Sequence, residues 1–264
     1  MNSPIYQIDA FTDKPFGGNP AAVCPLTSWL DDETLRNIAA ENNLSETAFL
    51  VKSEDETIDY HLRWFTPEVE MDLCGHATLA SAYAVFQFLE PALQAVSFST
   101  LSGILTVTRD GDLLSMNFPA RMPAPITADA TLVKALGRTP AEVHMERNWL
   151  VVYEGEADVR ALMPDIALLN TVEAGFAVIV TAPGDDCDFV SRCFAPKAGI
   201  PEDPVTGSAH CTLIPFWAER LGKTTLHARQ LSRRGGELFC EHEGERVTIS
   251  GYCALFLTGE ILLG

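Results

Sequence analysis

The 264-residue sequence predicts an α+β fold of two pseudo-symmetric lobes, each a curved, mostly antiparallel sheet wrapped around one central helix. Three observations lead there. The first is that the chain is written twice. Asn43–Val51 (NLSETAFLV) and Asn170–Val178 (NTVEAGFAV) share the pattern N-x-x-E-x-x-F-x-V, and Arg63–Pro67 (RWFTP) returns as Arg192–Pro196 (RCFAP). Asp72, Gly75 and Ala77 return as Asp203, Gly207 and Ala209, and GILTVTRDGD from Gly103 returns as GELFCEHEGE from Gly236. Ordered matches at a nearly constant spacing of about half the chain are what a duplication leaves behind. The second observation is the run that follows each glycine, HATLASAYAVFQFL after Gly75 and SAHCTLIPFWAERL after Gly207. A helix that is apolar on nearly all sides must be surrounded. The third is that the flanking stretches TIDYHLRWF, ILTVTRDGDLLSMNF and ERVTISGYCALFLTG read as strands with tight turns.

Taken in order, the elements support this plan. The opening MNSPIYQIDAF lacks the basic region and long apolar run of a leader. DDETLRNIAAENN reads as a helix, with Asp31 or Asp32 as cap and Glu33 in the first turn. The expected lobes are 1–118 and 119–264, with the last strand free to cross back to the first lobe. On superposition Gly75 should fall on Gly207 and Glu46 near Glu173. The segment DPVTGSAHCTLIPFWAERLGK carries the tail of a phosphate-binding loop, yet Trp217 stands where that loop needs its first glycine. Gly222 therefore reads as a helix C-cap, with Lys223 complementing the helix dipole.

Composition bounds the function. With 47% hydrophobic residues and no apolar run of membrane-spanning length, the chain reads as globular and cytoplasmic. Seven cysteines without regular spacing read as reduced thiols. A net charge of −18 excludes nucleic acid as a partner and requires local positive potential at any anion site. The histidines and cysteines show no metal-ligand spacing, and there is no intact dinucleotide or phosphate loop, so neither a metal nor a cofactor is expected. The expected partners are a small anionic substrate and a second copy of the chain; a membrane is not expected.

Each central helix begins with G-x-A, which presents the first N–H groups of the helix without a bulky side chain. If the lobes are related by a pseudo-twofold axis, both helix starts can face one cleft and supply the missing positive potential. Titratable or hydrogen-bonding residues bracket the starts: Asp72, Cys74 and His76 in the first lobe, Asp203, Thr206 and Ser208 in the second. Glu46 enters a strand with apolar flanks, where burial would raise its pKa toward the range useful for proton transfer. On residue type alone, Glu46 also suits a surface carboxylate or an arginine partner, His76 a helix-start hydrogen bonder, and Asp72 and Asp203 helix caps.

The motifs F-G-G-N-P-A-A-V, N-L-S-E-T-A-F, D-L-C-G-H-A-T-L-A-S-A and E-D-P-V-T-G-S-A-H together resemble the PhzF-like family of phenazine-biosynthesis-type isomerases, over nearly the whole chain. The resemblance implies the diaminopimelate epimerase fold and cofactor-free proton transfer on a small carboxylated substrate. It places the acid/base glutamate at Glu46, with His76, Asp203 and Ser208 around it and Gly75 and Gly207 at the helix starts. By the same motifs Asn19, Ser45, Asp72, Cys74 and Thr206 fall among the substrate-binding positions. Related epimerases carry a cysteine before each helix-start glycine; here Cys74 fills the first place and Thr206 the second, which disfavours a two-thiol racemase. The chain reads C-G-H-A where the phenazine enzyme reads A-G-H-P, so its substrate is expected to differ. An epimerase using Cys74, or a ligand-binding member without turnover, are the competing expectations.

Overall fold

The computed structural model describes residues 2–263. The described residues divide into two compact units, one formed by residues 2–117 with 250–263 and the other by 118–249.

The first unit contains β1 (Asn2–Ala10), β2 (Asn19–Leu26), α1 (Asp32–Asn42), β3 (Glu46–Lys52), β4 (Tyr60–Phe65) and β5 (Glu70–Met71). Then come α2 (Gly75–Ala84), prolonged by a π-helical turn over Val85–Leu89, and β6 (Ala95–Thr100), β7 (Gly103–Asp110) and β8 (Leu113–Pro119). β1–β2, β3–β4, β4–β5, β6–β7 and β7–β8 pair antiparallel, whereas β2–β3 and β4–β6 are parallel. Asp31 caps α1 by accepting the Thr34 N–H at 2.9 Å, and Asn43 closes it in the left-handed conformation. The helix lays Leu35, Ile38 and Ala39 against Cys24, Phe49 and Phe65.

The second unit contains β9 (Ala124–Pro125), α3 (Ala130–Leu136), β10 (Glu142–Met145), β11 (Trp149–Val152), α4 (Glu156–Ala161), α5 (Ile166–Leu169), β12 (Val178–Pro183), β13 (Phe189–Ala195) and β14 (Ile200–Asp203). α6 (Gly207–Leu221), β15 (Thr225–Gln230), β16 (Gly236–Glu243) and β17 (Arg246–Gly251) follow, and β18 (Cys253–Leu262) pairs antiparallel with β1 in the first unit. The pairings repeat those of the first unit: β10–β11, β12–β13, β13–β14 and β15–β16 antiparallel, β11–β12 and β13–β15 parallel. This sheet-dominated α+β architecture is the one the duplicated motifs predict.

The glycine-led helices are the central ones. All of α2 except Gly75 and Tyr83 is buried, and it packs on β1, β2, β3, β7 and β18. Its hydroxyls are satisfied internally, Thr78 by the Cys74 carbonyl at 2.5 Å and Ser81 by the Ala77 carbonyl at 2.7 Å. α6 packs on β15 and β16 and carries Pro215 in its interior. Proline lacks the N–H that would bond the carbonyl four residues back. The Arg121 N–H takes that carbonyl, at Cys211, at 2.8 Å, so the helix continues without an unsatisfied acceptor. Gly222 ends α6 with φ +66°, as the C-cap reading expects. Lys223 instead pairs with Asp188 at 2.6 Å.

The repeated arginines have a structural role that motif matching did not reveal. Arg63 holds Glu70 on β5 through two hydrogen bonds of 2.7 Å, and Arg192 holds Glu202 on β14 through bonds of 2.7 and 3.1 Å. Each guanidinium lies 5.0 Å over the phenylalanine two residues on, Phe65 or Phe194. Bidentate pairing fixes both position and orientation, so each clamp anchors the short strand that leads into a central helix.

One expected equivalence needs correction. Thr47 lies opposite Phe65 in the first unit, and Val178 lies opposite Phe194 in the second. The position matching Glu46 is therefore Ala177, the residue before Val178. Glu173 lies upstream of that position, exposed and outside any strand. The N-x-x-E-x-x-F-x-V match aligned residues that enter β3 at Glu46 with residues that reach β12 only at Val178, because a short pattern does not carry strand register.

Candidate active site

In the first unit, three segments remote from one another in sequence bring candidate side chains together: the turn before β2, the start of β3 and the start of α2. The turn explains the F-G-G-N-P motif. Gly18 has φ +60°, and a Cβ there would sit 2.1 Å from the Ala10 carbonyl oxygen. Only glycine permits this approach, and it delivers Asn19, fully buried, to the first position of β2. Asn19 Nδ2 lies 3.2 Å from His76 Nδ1, and Ser45 Oγ donates to Asn19 Oδ1 at 3.5 Å.

Glu46 opens β3, paired in register with Ala21 of β2, and His76 occupies the second position of α2. Both are 6% exposed. Glu46 Oε2 and His76 Nε2 stand 3.1 Å apart, off the line of a hydrogen bond, and neither atom has a hydrogen-bond partner among the described residues. Cys74, the residue before α2, is also 6% exposed and places Sγ 3.6 Å from His76 Nδ1. Burial alone would depress the His76 imidazole, but the charges of Cys74 and Glu46 beside it outweigh burial and hold it well above its usual range. Burial, reinforced by the Glu46 charge, pushes the Cys74 thiol up. A thiol held protonated adds no charge, so Glu46 is the counter-charge that matters to His76 near neutral pH. One atom each from Glu46, Cys74 and His76 lie within 4.8 Å of one another, the only such group of potential metal ligands among the described residues. Asp72 is exposed; its carbonyl accepts from Ser102 Oγ at 2.7 Å.

In the second unit, Asp203 ends β14 and Thr206 precedes α6. Thr206 Oγ1 donates to Asp203 Oδ2 at 2.6 Å. Gln230, buried at the end of β15, ties the turn together. Its Nε2 donates to the Asp203 carbonyl at 2.8 Å and to Thr206 Oγ1 at 3.1 Å, while its Oε1 accepts the Thr206 N–H at 2.9 Å. Nothing in the sequence singled out Gln230; a lone glutamine closing a strand carries no motif. Ser208 is exposed in the first turn of α6, and Gly207 is buried at its first position. His210 Nδ1 lies 2.9 Å from the Thr206 carbonyl, and burial pushes its pKa down to about 4.

This doubled sheet-and-helix fold, with a carboxylate, an imidazole and a thiol buried together at the start of α2, is shared with isomerases. The family model described as "Phenazine biosynthesis-like protein" matches residues 8–259. The chain belongs to this family. An uncharacterized isomerase of Pseudomonas aeruginosa is 53% identical over 263 residues, covering 100% of both chains. The crystal structure of a phenazine biosynthesis protein of the PhzF family from Enterococcus faecalis superposes with TM-score 0.97 at 47% identity, again over 100% of both chains. A hydroxyproline epimerase from Agrobacterium vitis shares the fold, with TM-score 0.64 at 11% identity over 98% of this chain and 92% of the epimerase. Among the described residues no helix is long and apolar enough to cross a membrane.

Proposed function

We propose that this protein is a cofactor-independent isomerase that moves a proton between two positions of a small carboxylated substrate, with Glu46 as the acid/base. The observation that carries this reading is the buried Glu46 carboxylate, whose Oε2 faces the buried His76 Nε2 at 3.1 Å and has no other partner among the described residues. Burying a carboxylate without pairing it fully costs several kcal/mol, and such strained titratable groups cluster at functional sites. The Glu46 carboxylate takes a proton from a substrate carbon. The electron pair of that C–H bond moves into the neighbouring double bond, and the proton returns at a different carbon, leaving composition unchanged. His76 faces the Glu46 carboxylate before the first transfer and after the second and keeps the protonated carboxyl group in position between them, while Asn19 holds the imidazole ring in place through Nδ1. No side-chain cap closes the start of α2, and the N–H groups of its first turn suit the substrate carboxylate. The resemblance of their motifs is what extends the proposal to Asp203 and Ser208.

The test is deuterium uptake from D2O into a panel of small unsaturated carboxylic acids and cyclic α-amino acids, read by proton NMR and mass. Glu46→Gln is expected to slow uptake into any exchanging compound by at least about two orders of magnitude, the usual contribution of a positioned acid/base. Asp203→Asn and Ser208→Ala should slow it as well. Cys74→Ala separates this reading from a thiol epimerase. If Cys74→Ala is inactive while Glu46→Gln exchanges like the parent, the glutamate assignment is wrong.

A further inference from the structure

We propose that Cys74, His76 and Glu46 form a binding site for a thiophilic divalent cation such as Zn2+, which occupies the candidate active site and blocks it. The blocking half of the proposal rests on the acid/base role of Glu46; the binding half does not. One thiol, one imidazole and one carboxylate make a recognised ligand class for zinc. Here all three side chains are more than nine-tenths buried, and the ligand atoms lie within 4.8 Å of one another.

The geometry favours the His76 Nε2 and Glu46 Oε2 edge. With bonds of about 2.0–2.2 Å at a tetrahedral angle, a nitrogen and an oxygen on one zinc stand about 3.3 Å apart. These two atoms stand 3.1 Å apart and bond to nothing else. A proton lies between these two buried atoms when His76 is charged, and a cation that displaces it would satisfy both. Cys74 Sγ now lies 3.6 Å from the other ring nitrogen, Nδ1, so the thiol must turn toward Nε2 to reach the separation of about 3.5 Å that a Zn–S bond of about 2.3 Å sets; the three ligand atoms already lie within 4.8 Å of one another. The other side of the ring is supported as well. Zinc-bound histidines place their second ring nitrogen against a polar partner, and His76 Nδ1 has the Asn19 amide at 3.2 Å, able to accept from it after a half-turn of the amide.

Charge fits too. Cys74 as thiolate and Glu46 as carboxylate balance a divalent cation, the thiol proton leaving to solvent, so the buried set is neutral once loaded. Three protein ligands leave the fourth position open, while the Glu46 oxygen bound to metal can no longer accept a substrate proton. Ligand-spacing rules miss the site because its three donors come from two elements, Glu46 at the start of β3 and Cys74 and His76 at the start of α2.

The experiment is titration of the full-length, chelator-treated protein with Co2+, followed by displacement with Zn2+. A thiolate-to-cobalt charge-transfer band in the near ultraviolet should grow to saturation at one equivalent and collapse when Zn2+ is added. Cys74→Ser should abolish the band, whereas Cys187→Ser, which changes a half-buried cysteine of the other unit, should keep it. Glu46→Gln and His76→Gln should keep their folds by circular dichroism and weaken binding at least about tenfold. A band that survives Cys74→Ser, no band at excess Co2+, or unchanged affinity in both Glu46→Gln and His76→Gln overturns the site. No substrate enters these readouts, so failure of the metal site and failure of the proposed reaction are told apart.

Discussion

Replacing His210 with asparagine probes the buried imidazole that follows the second helix start. His210 is fully buried; its Nδ1 donates to the Thr206 carbonyl at 2.9 Å, while Nε2 is buried without a partner. A proton added at Nε2 would create a charge with no acceptor, beside the Phe189 ring 5.9 Å away. Burial accordingly pushes the pKa from 6.5 to about 4. The sign follows from proton counting. Between those two values the unfolded chain binds more protons than the folded one, so stability contributed by neutral His210 is present above 6.5 and is lost as pH falls toward 4. Integrating over the accessible window, the loss from pH 7 to pH 5.5 is about 1.2 kcal/mol. The isoelectric point near 4.6 sets the practical lower limit. Asparagine keeps an amide donor for the Thr206 carbonyl and discards the titrating nitrogen; the lost ring volume costs roughly 1–3 kcal/mol at every pH. Urea unfolding of parent and His210→Asn at both pH values isolates the titration, because other groups, including His76 with its opposite shift, cancel in the difference. The parent should lose about 1.2 kcal/mol more than the variant on acidification. Equal losses would show that His210 is not held neutral by burial and would refute the reasoning.

Four further outcomes are expected. Glu46→Gln, which removes the counter-charge facing the buried His76 imidazole, should bring the His76 titration back down while losing turnover; an NMR titration of His76 that is unchanged in the variant would mean that Glu46 does not set it. Gly222→Ala should cost about 1 kcal/mol, since its φ of +66° is strained for alanine but nothing lies within 4 Å. Gly18→Ala should cost several times more and should also impair exchange, because its Cβ would meet the Ala10 carbonyl beside Asn19; equal costs in urea unfolding would contradict this. Arg63→Lys should cost about 1 kcal/mol through loss of the bidentate clamp on Glu70, a value kept low by the quarter-exposed side chains, and thermal unfolding at low and high salt checks it.

The fold was legible because duplication and helix patterning are local signals. The runs after Gly75 and Gly207 have no polar face, and a buried helix needs none. The capping aspartate of α1 and the C-cap glycine of α6 were legible for the same reason. Register was not. Glu173 shares a motif with Glu46, but strand entry is set by pairing with β4 and β13, and those partners place Ala177 at the equivalent position. The Gln230 network and the proximity of Glu46 to Cys74 and His76 depend on contacts between residues remote in sequence, which spacing cannot express.

The ladder register and the helix starts together show what duplication preserved. The clamps are kept in both units, Arg63 with Glu70 and Arg192 with Glu202, and so are the helix-start glycines. The chemistry is not. Matching Gly75 to Gly207 sets Cys74 against Thr206 and His76 against Ser208, and strand pairing sets Glu46 against Ala177. The second unit thus replaces a glutamate, a thiol and an imidazole with a methyl group and two hydroxyls. Its Thr206 is committed to Asp203 and Gln230. A scaffold constrained by packing retains its clamps in both copies, because loss of either frees a strand leading into a buried helix. A titratable trio is buried at an energetic cost in the first unit alone, and the proposed proton transfer accounts for keeping it there.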